Sequence, residues 1–354
     1  MSLPNQLRRA RSACRLALTA ALALAGSLAA CGSTSSVGSA PPPPTATSAP
    51  TTSGTTTPAP TSRPYTPPTE EPPGTPATTV VDGVTLTSLV LGGDIYPIDV
   101  VEAFDSIWIA NHHTDDVSRM DPATMEIVAT VEAGAGPGWF AVTDDAIWVS
   151  NQNSSGVTRI DPATNRSVGL IGDDAPCWRP TVAAGSVWQP ACDANVYMRI
   201  DPATNAVTRI AADRRFDLVV IDGVLYAGGE TGLARFDEAS GEFVAIDDCC
   251  GTAVVIGADG SAIWLSNDFA VNRFDPSTGM LPDTLALSSA RFAKVGGDRA
   301  YVTLEGGTLV EIDRESGEIV RRIKLSQTAM PLAVTEAAIW VTAREEDIVW
   351  RVQR

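Results

Sequence analysis

Histidine is nearly missing from this sequence. There are two in 354 residues, and those two, His112 and His113, are neighbours. A metal centre or acid–base pair built from several spaced histidines is therefore excluded, and no spaced Cys/His/carboxylate set replaces it, so neither a metal nor a cofactor is expected. Basic residues are also scarce. Arg8, Arg9, Arg11 and Arg15 carry all the charge of the first thirty residues, which leaves 21 basic against 42 acidic groups beyond Ala30. Nucleic acid is disfavoured as a partner, because duplex affinity needs several Lys or Arg on phosphates. The one long apolar run, residues 16–30, is too short to span a bilayer comfortably. Helical periodicity is lacking throughout the body of the chain.

What the first thirty residues do contain is a basic start followed by that apolar run, the pattern of a secretory signal peptide. It ends in Leu28-Ala29-Ala30-Cys31-Gly32, which resembles the bacterial lipobox. The resemblance implies cleavage before Cys31 and diacylglycerol, with palmitate-type chains, on its thiol. Each acyl chain would contribute roughly 0.8 kcal/mol per buried CH₂, so the chain is expected to be held on the outer side of the cell membrane. An ordinary signal peptide with an incidental cysteine is the alternative. Residues 31–80 follow as a linker: thirteen of the 25 prolines lie between Pro41 and Pro76, among Ser, Thr, Ala and Gly. Such a segment lacks the apolar surface to offset ordering entropy and is expected to be extended and disordered.

The body, residues 81–354, is repetitive. An aliphatic residue followed by an aromatic recurs at Trp108, Trp148, Trp188, Tyr226, Trp264 and Trp340, and Tyr301 keeps the aromatic. A second marker follows each of the first six by 11–13 residues: the turn aspartates Asp121, Asp161, Asp201, Asp237, Asp275 and Asp313. Three of these open Asp-Pro-Ala-Thr, which reads as a hairpin turn with Gly or Asn at a position tolerant of positive φ. Four short strands per repeat and seven anchors predict an all-β, seven-bladed propeller. The last unit lacks room for a fourth strand before Arg354, and the stretch from Val84 to Gly92 looks like that strand. An N-terminal strand is thus expected to close the ring and remove its open edge.

These units resemble YVTN/NHL-type β-propeller repeats, including those of virginiamycin B lyase-like proteins, in the strands Ile107 to Asn111, Ile147 to Asn151 and Ile263 to Asn267 and in the three DPAT turns. The resemblance implies fold far more than activity, since such propellers serve binding, scaffolding and catalysis alike. The lyases of this group place catalytic histidines and a glutamate in later blades, where this chain has no histidine, so the activity is not carried over.

One loop face should gather His112, His113, Trp139, residues 151–153, Trp178, Arg179, residues 214–216, Asn267, Asp268, Arg291 and Phe292. Trp139, Trp178 and Phe216 are candidate aromatic anchors there, with Arg179 and Arg291 as anion or glycan contacts. Cys177 and Cys192 should fall on this face and pair, closing a loop whose entropy is worth about 3 kcal/mol. Cys249 and Cys250 either form a strained vicinal bridge or remain thiols. The preferred functional reading is a monomeric, membrane-anchored module that binds a protein or cell-envelope ligand without catalysis. A lyase or hydrolase based on His112 or His113, and a structural envelope protein, are the alternatives.

Overall fold

The computed structural model describes residues 73–247, 254–266 and 270–354, all as strands and turns. Seven antiparallel sheets are arranged as blades, each with its first strand innermost. The first blade comprises β3 (Pro97–Ala103), β4 (Ser106–Asn111), β5 (Asp116–Met120) and β6 (Ile127–Glu132) in that order. The innermost strands of the next five blades are β7 (Pro137–Val142), β11 (Thr181–Ala183), β15 (Arg215–Ile221), β19 (Val254–Ala258) and β23 (Ala290–Gly296). The last blade runs from β27 (Ala329–Val334) through β28 (Ala338–Ala343) and β29 (Ile348–Gln353) to β2 (Val84–Val90).

Closure occurs as the sequence predicts, with Leu89 opposite Val349 and Ser88 opposite Trp350. Asp347 fastens the junction: its carboxylate accepts from the backbone N–H of Asp94 and Tyr96, and its carbonyl from Leu91. A fifth strand, β1 (Ala77–Val81), pairs outside β2 within the segment read as linker. It is exposed along its whole length, so no hydrophobic alternation marks it in the sequence. Its Thr-Thr-Val-Val content nevertheless suits a strand.

Burial explains the repeat. The second strand of each of the first three blades is buried at every residue, whereas an outer strand such as β10 (Arg166–Ile171) is largely exposed. Trp108, Trp148, Trp188, Trp264, Tyr301 and Trp340 are at most 2% exposed. An indole buried so deeply needs a partner for its N–H. Trp108 and Trp188 donate to the carbonyls of Ala103 and Ala183, Trp148 to Thr143 Oγ1 and Trp264 to Asp259 Oδ2, each acceptor being five residues upstream.

The turn aspartates cap their own hairpins: Asp121 Oδ1 accepts from the N–H groups of Ala123 and Thr124, both at 2.8 Å. Asn165 and Asn205 adopt positive φ as expected of the fifth turn residue, and Met125 does so as well despite its side chain. These turns have a second duty. The Arg119 guanidinium lies 5.0 Å from the centre of the Trp108 ring and donates to Pro162 O and Asn165 Oδ1 of the next blade. Arg159 repeats this over Trp148 onto Pro202 O and Asn205 Oδ1, and Arg351 over Trp340 onto the carbonyls of Pro122 and Ala123. Each of these three turns thus receives an arginine latch from the preceding blade, and Arg351 carries the latch across the closure.

Candidate functional site: the mouth and channel of the ring

The register of the inner strands places one residue from every blade at the same level, nine positions before each aromatic anchor. These are Asp99, Trp139, Arg179, Asp217, Val255, Phe292 and Pro331. Because side chains alternate along a strand, the residue two further on in each blade continues the same face, and Lys294 is the charged member of that deeper level. Two cavities meet at this ring. A mouth pocket of about 670 Å³ on the loop face is lined by Trp139, Trp178, Arg291 and Phe292, with Gln152, Gln327 and Arg344 around them. A channel cavity of about 450 Å³ is lined by Asp99, Arg179, Asp217 and Lys294, and Trp178 belongs to both.

Aromatic contacts define the mouth. Trp139 sits 5.7 Å from Trp178 and 5.7 Å from Phe292, centre to centre. The Arg179 guanidinium lies over Phe292 at 4.3 Å and over Trp139 at 5.3 Å, a cation held against two ring faces. Trp139 is 7% exposed, yet its indole N–H has no hydrogen-bond partner. A buried donor left unmade costs about 1–3 kcal/mol, and this one is itself shielded from solvent. Arg291 is at the rim, where it pairs with Glu305 at 2.5 Å.

Along the channel Asp99, Arg179 and Asp217 are half-buried, and Lys294 is exposed. Asp99 Oδ2 accepts from Phe140 N–H and Asp217 Oδ2 from Val255 N–H, so each carboxylate ties its strand to the next blade. Burial raises the Asp99 pKa against the opposing pull of Arg179 and the Phe140 N–H. The same cause pushes Asp217 up to about 6, against the Val255 N–H, Arg179 and the Trp178 side chain. Desolvation by the channel walls lowers Lys294 and the positive Arg179 lowers it further, against the pull of Asp99. Arg179 is itself lowered by burial and supported by Asp99 and Asp217.

The structure brings Trp139, Trp178, Arg179 and Arg291 together around these cavities. Phe216 lies apart from them. It packs against Ala183, Trp188, Leu225 and Phe236 inside the blades, while its neighbour Asp217 lines the channel. A shift of one residue along a strand moves the side chain to the other face. His112 and His113 line neither cavity. His113 Nδ1 lies 2.7 Å from Asp94 Oδ1 and its ring stacks on Tyr96 at 4.5 Å, while His112 Nε2 contacts Asn153 at 3.3 Å and burial lowers its pKa.

Cys177 and Cys192 form a disulfide with Cα atoms 5.7 Å apart, next to Trp178 and Arg179. Cys31, Cys249, Cys250, Asn267 and Asp268 lie outside the described residues. Sequence reasoning missed Asp99, Asp217 and Lys294. The signal for them was a charge flanked by apolar residues inside an inner strand: Ile98-Asp99-Val100, Phe216-Asp217-Leu218 and Ala293-Lys294-Val295.

No family profile and no curated protein sequence matches the chain. Among solved structures, its fold is similar to one titled hydrazine synthase of Kuenenia stuttgartiensis, with TM-score 0.63 and 16% identity over 74% of this chain and 96% of that one. A streptogramin B lyase structure aligns with TM-score 0.62 and 11% identity, covering 73% and 94%. BamB from Moraxella catarrhalis aligns with TM-score 0.54 and 16% identity, covering 78% and 96%. At these identities the likeness carries the propeller fold alone.

Proposed function

We propose that this propeller is a membrane-anchored binding module on the outer side of the cell membrane, held by lipid on Cys31 and capturing a protein or cell-envelope ligand at its loop-face mouth. The observation that carries the reading is the cluster of Trp139, Trp178 and Phe292 around Arg179 beside a large pocket. Aromatics and arginine gathered in one pocket are the composition of a binding hot spot. Similarity to the BamB and streptogramin B lyase propellers supports the scaffold. A histidine-based lyase is less favoured, because His112 and His113 are engaged away from both cavities. The acidic body favours cationic ligand surfaces over anionic ones at close approach.

A photocrosslinking amino acid placed at Gln327 on the mouth, and separately at Val168 on an exposed outer strand, tests this in intact cells. A discrete adduct from position 327 and none from 168 is expected. Equal labelling at both positions, or none at either, would count against capture at the mouth. Cys31→Ser should release the protein from the membrane fraction, and retention there would refute the anchor.

A further inference from the structure

Two cations in the channel have carboxylates in the same cavity but no direct bond to them. Among the described residues, neither Arg179 nor Lys294 has a hydrogen-bond or ion-pair partner, although both line the same cavity as Asp99 and Asp217. The two carboxylates are already engaged with Phe140 and Val255 N–H groups of adjacent blades. Arg179 is held by the faces of Trp139 and Phe292, and its backbone follows two residues after Cys177 of the Cys177–Cys192 bridge. Its fork of donors is therefore held in position with no protein acceptor among the described residues. Guanidinium and ammonium donors with no protein acceptor, reachable from the cavity, suit charge-assisted bonds to the oxygens of an anionic ligand.

The rest of the cavity narrows the anion's chemistry. Val100, Leu218, Val255 and Leu332 give the wall an apolar character suited to a hydrocarbon body. Asp99, Asp217 and, further along, Glu102 contribute negative charge to the same space, which penalises a dianion such as phosphate. A planar monoanion matches the guanidinium fork in a bidentate manner.

We propose that the central channel binds a small monocarboxylate with an apolar body, its carboxylate bridging Arg179 and Lys294. This site shares Arg179 with the loop-face reading and does not depend on a macromolecular partner there.

Isothermal titration of the full chain at low salt with butyrate tests it, with butanol, butylamine and inorganic phosphate as comparisons. Saturable butyrate binding is expected, at least tenfold tighter than butanol or phosphate, with butylamine giving none. Lys294→Gln should weaken butyrate at least tenfold and leave butanol unchanged, and Lys294→Arg should restore most of the loss. Arg291→Ala, at the rim, should keep butyrate affinity within twofold even where it weakens crosslinking at the mouth, so the two readings fail separately. Absence of saturable butyrate binding would overturn the proposal. So would butanol, butylamine or phosphate matching butyrate, an adventitious site unaffected by Lys294→Gln, or failure of Lys294→Arg to restore it.

Discussion

Two classes of aspartate in this ring answer to pH with opposite signs. Asp217 has its folded pKa raised to about 6 by burial in the channel, so the folded state holds its proton more tightly than the unfolded chain does. Stability linked to Asp217 is greatest below the ordinary carboxylate value and falls as pH rises toward 6. Asp217→Asn should remove that decline, raising stability at pH 7 by about 1–3 kcal/mol, read as a flatter dependence of melting temperature on pH between 4 and 7. An unchanged slope would mean that channel water solvates the carboxylate fully. The turn aspartates behave the other way. Hydrogen bonds from their own hairpins lower Asp121, Asp161 and Asp201, and bring Asp275 to about 2. Their contribution is present above the ordinary carboxylate value and lost as pH falls through the depressed values. The turn residues were legible in the sequence because Asp-Pro-Ala-Thr states its geometry locally. Asp217 was not, because its neighbour Phe216 is the residue that looks like a ligand anchor, and only the count back from Tyr226 shows which of the two faces the channel.

At the scale of strands and connections, two devices hold the site. The Cys177–Cys192 bridge fixes the short segment carrying Trp178 and Arg179 ahead of β11, the shortest of the inner strands at 3 residues. Cys177→Ser with Cys192→Ser should cost about 3 kcal/mol in stability by loop-closure entropy, measured by denaturant unfolding. The same pair should loosen butyrate binding without abolishing it. A pair of variants that binds as tightly as the parent would show that the aromatic faces alone position Arg179. The arginine latches are the second device. Arg159→Ala removes two donors to the next blade's turn and the contact with Trp148. It should lower stability by about 1.5–3 kcal/mol, whereas Arg159→Lys should recover only part, since lysine cannot present the planar fork. An arginine stands two residues before five of the six turn aspartates, with Glu311 in that place before Asp313. The latch was not legible, because its acceptor belongs to another blade about forty residues on and no local pattern joins the two. Strand β1 was missed for a different reason: an exposed edge strand carries no alternation to read.

The molecule as a whole depends on circularity. Seven anchors, the turn markers and the missing last strand were enough to infer the ring and its closure, because each unit repeats the same burial pattern. What the ring does to side chains needed the register: only when the blades share one axis do Asp99, Trp139, Arg179, Asp217 and Phe292 become neighbours from strands far apart in sequence. In an open solenoid each unit leans on its neighbours alone. In a closed ring, loss of one strand removes the seam joining the two ends, where Leu89 and Val349 are buried to within 1%. Hydrogen exchange of the intact chain against a chain ending at residue 347 tests this most directly. The closed ring predicts that protection falls in distant blades, including Val196–Ile200 on the far side of the sequence, together with the last blade. Protection lost only beside the deleted strand, with Val196–Ile200 unchanged, would contradict it.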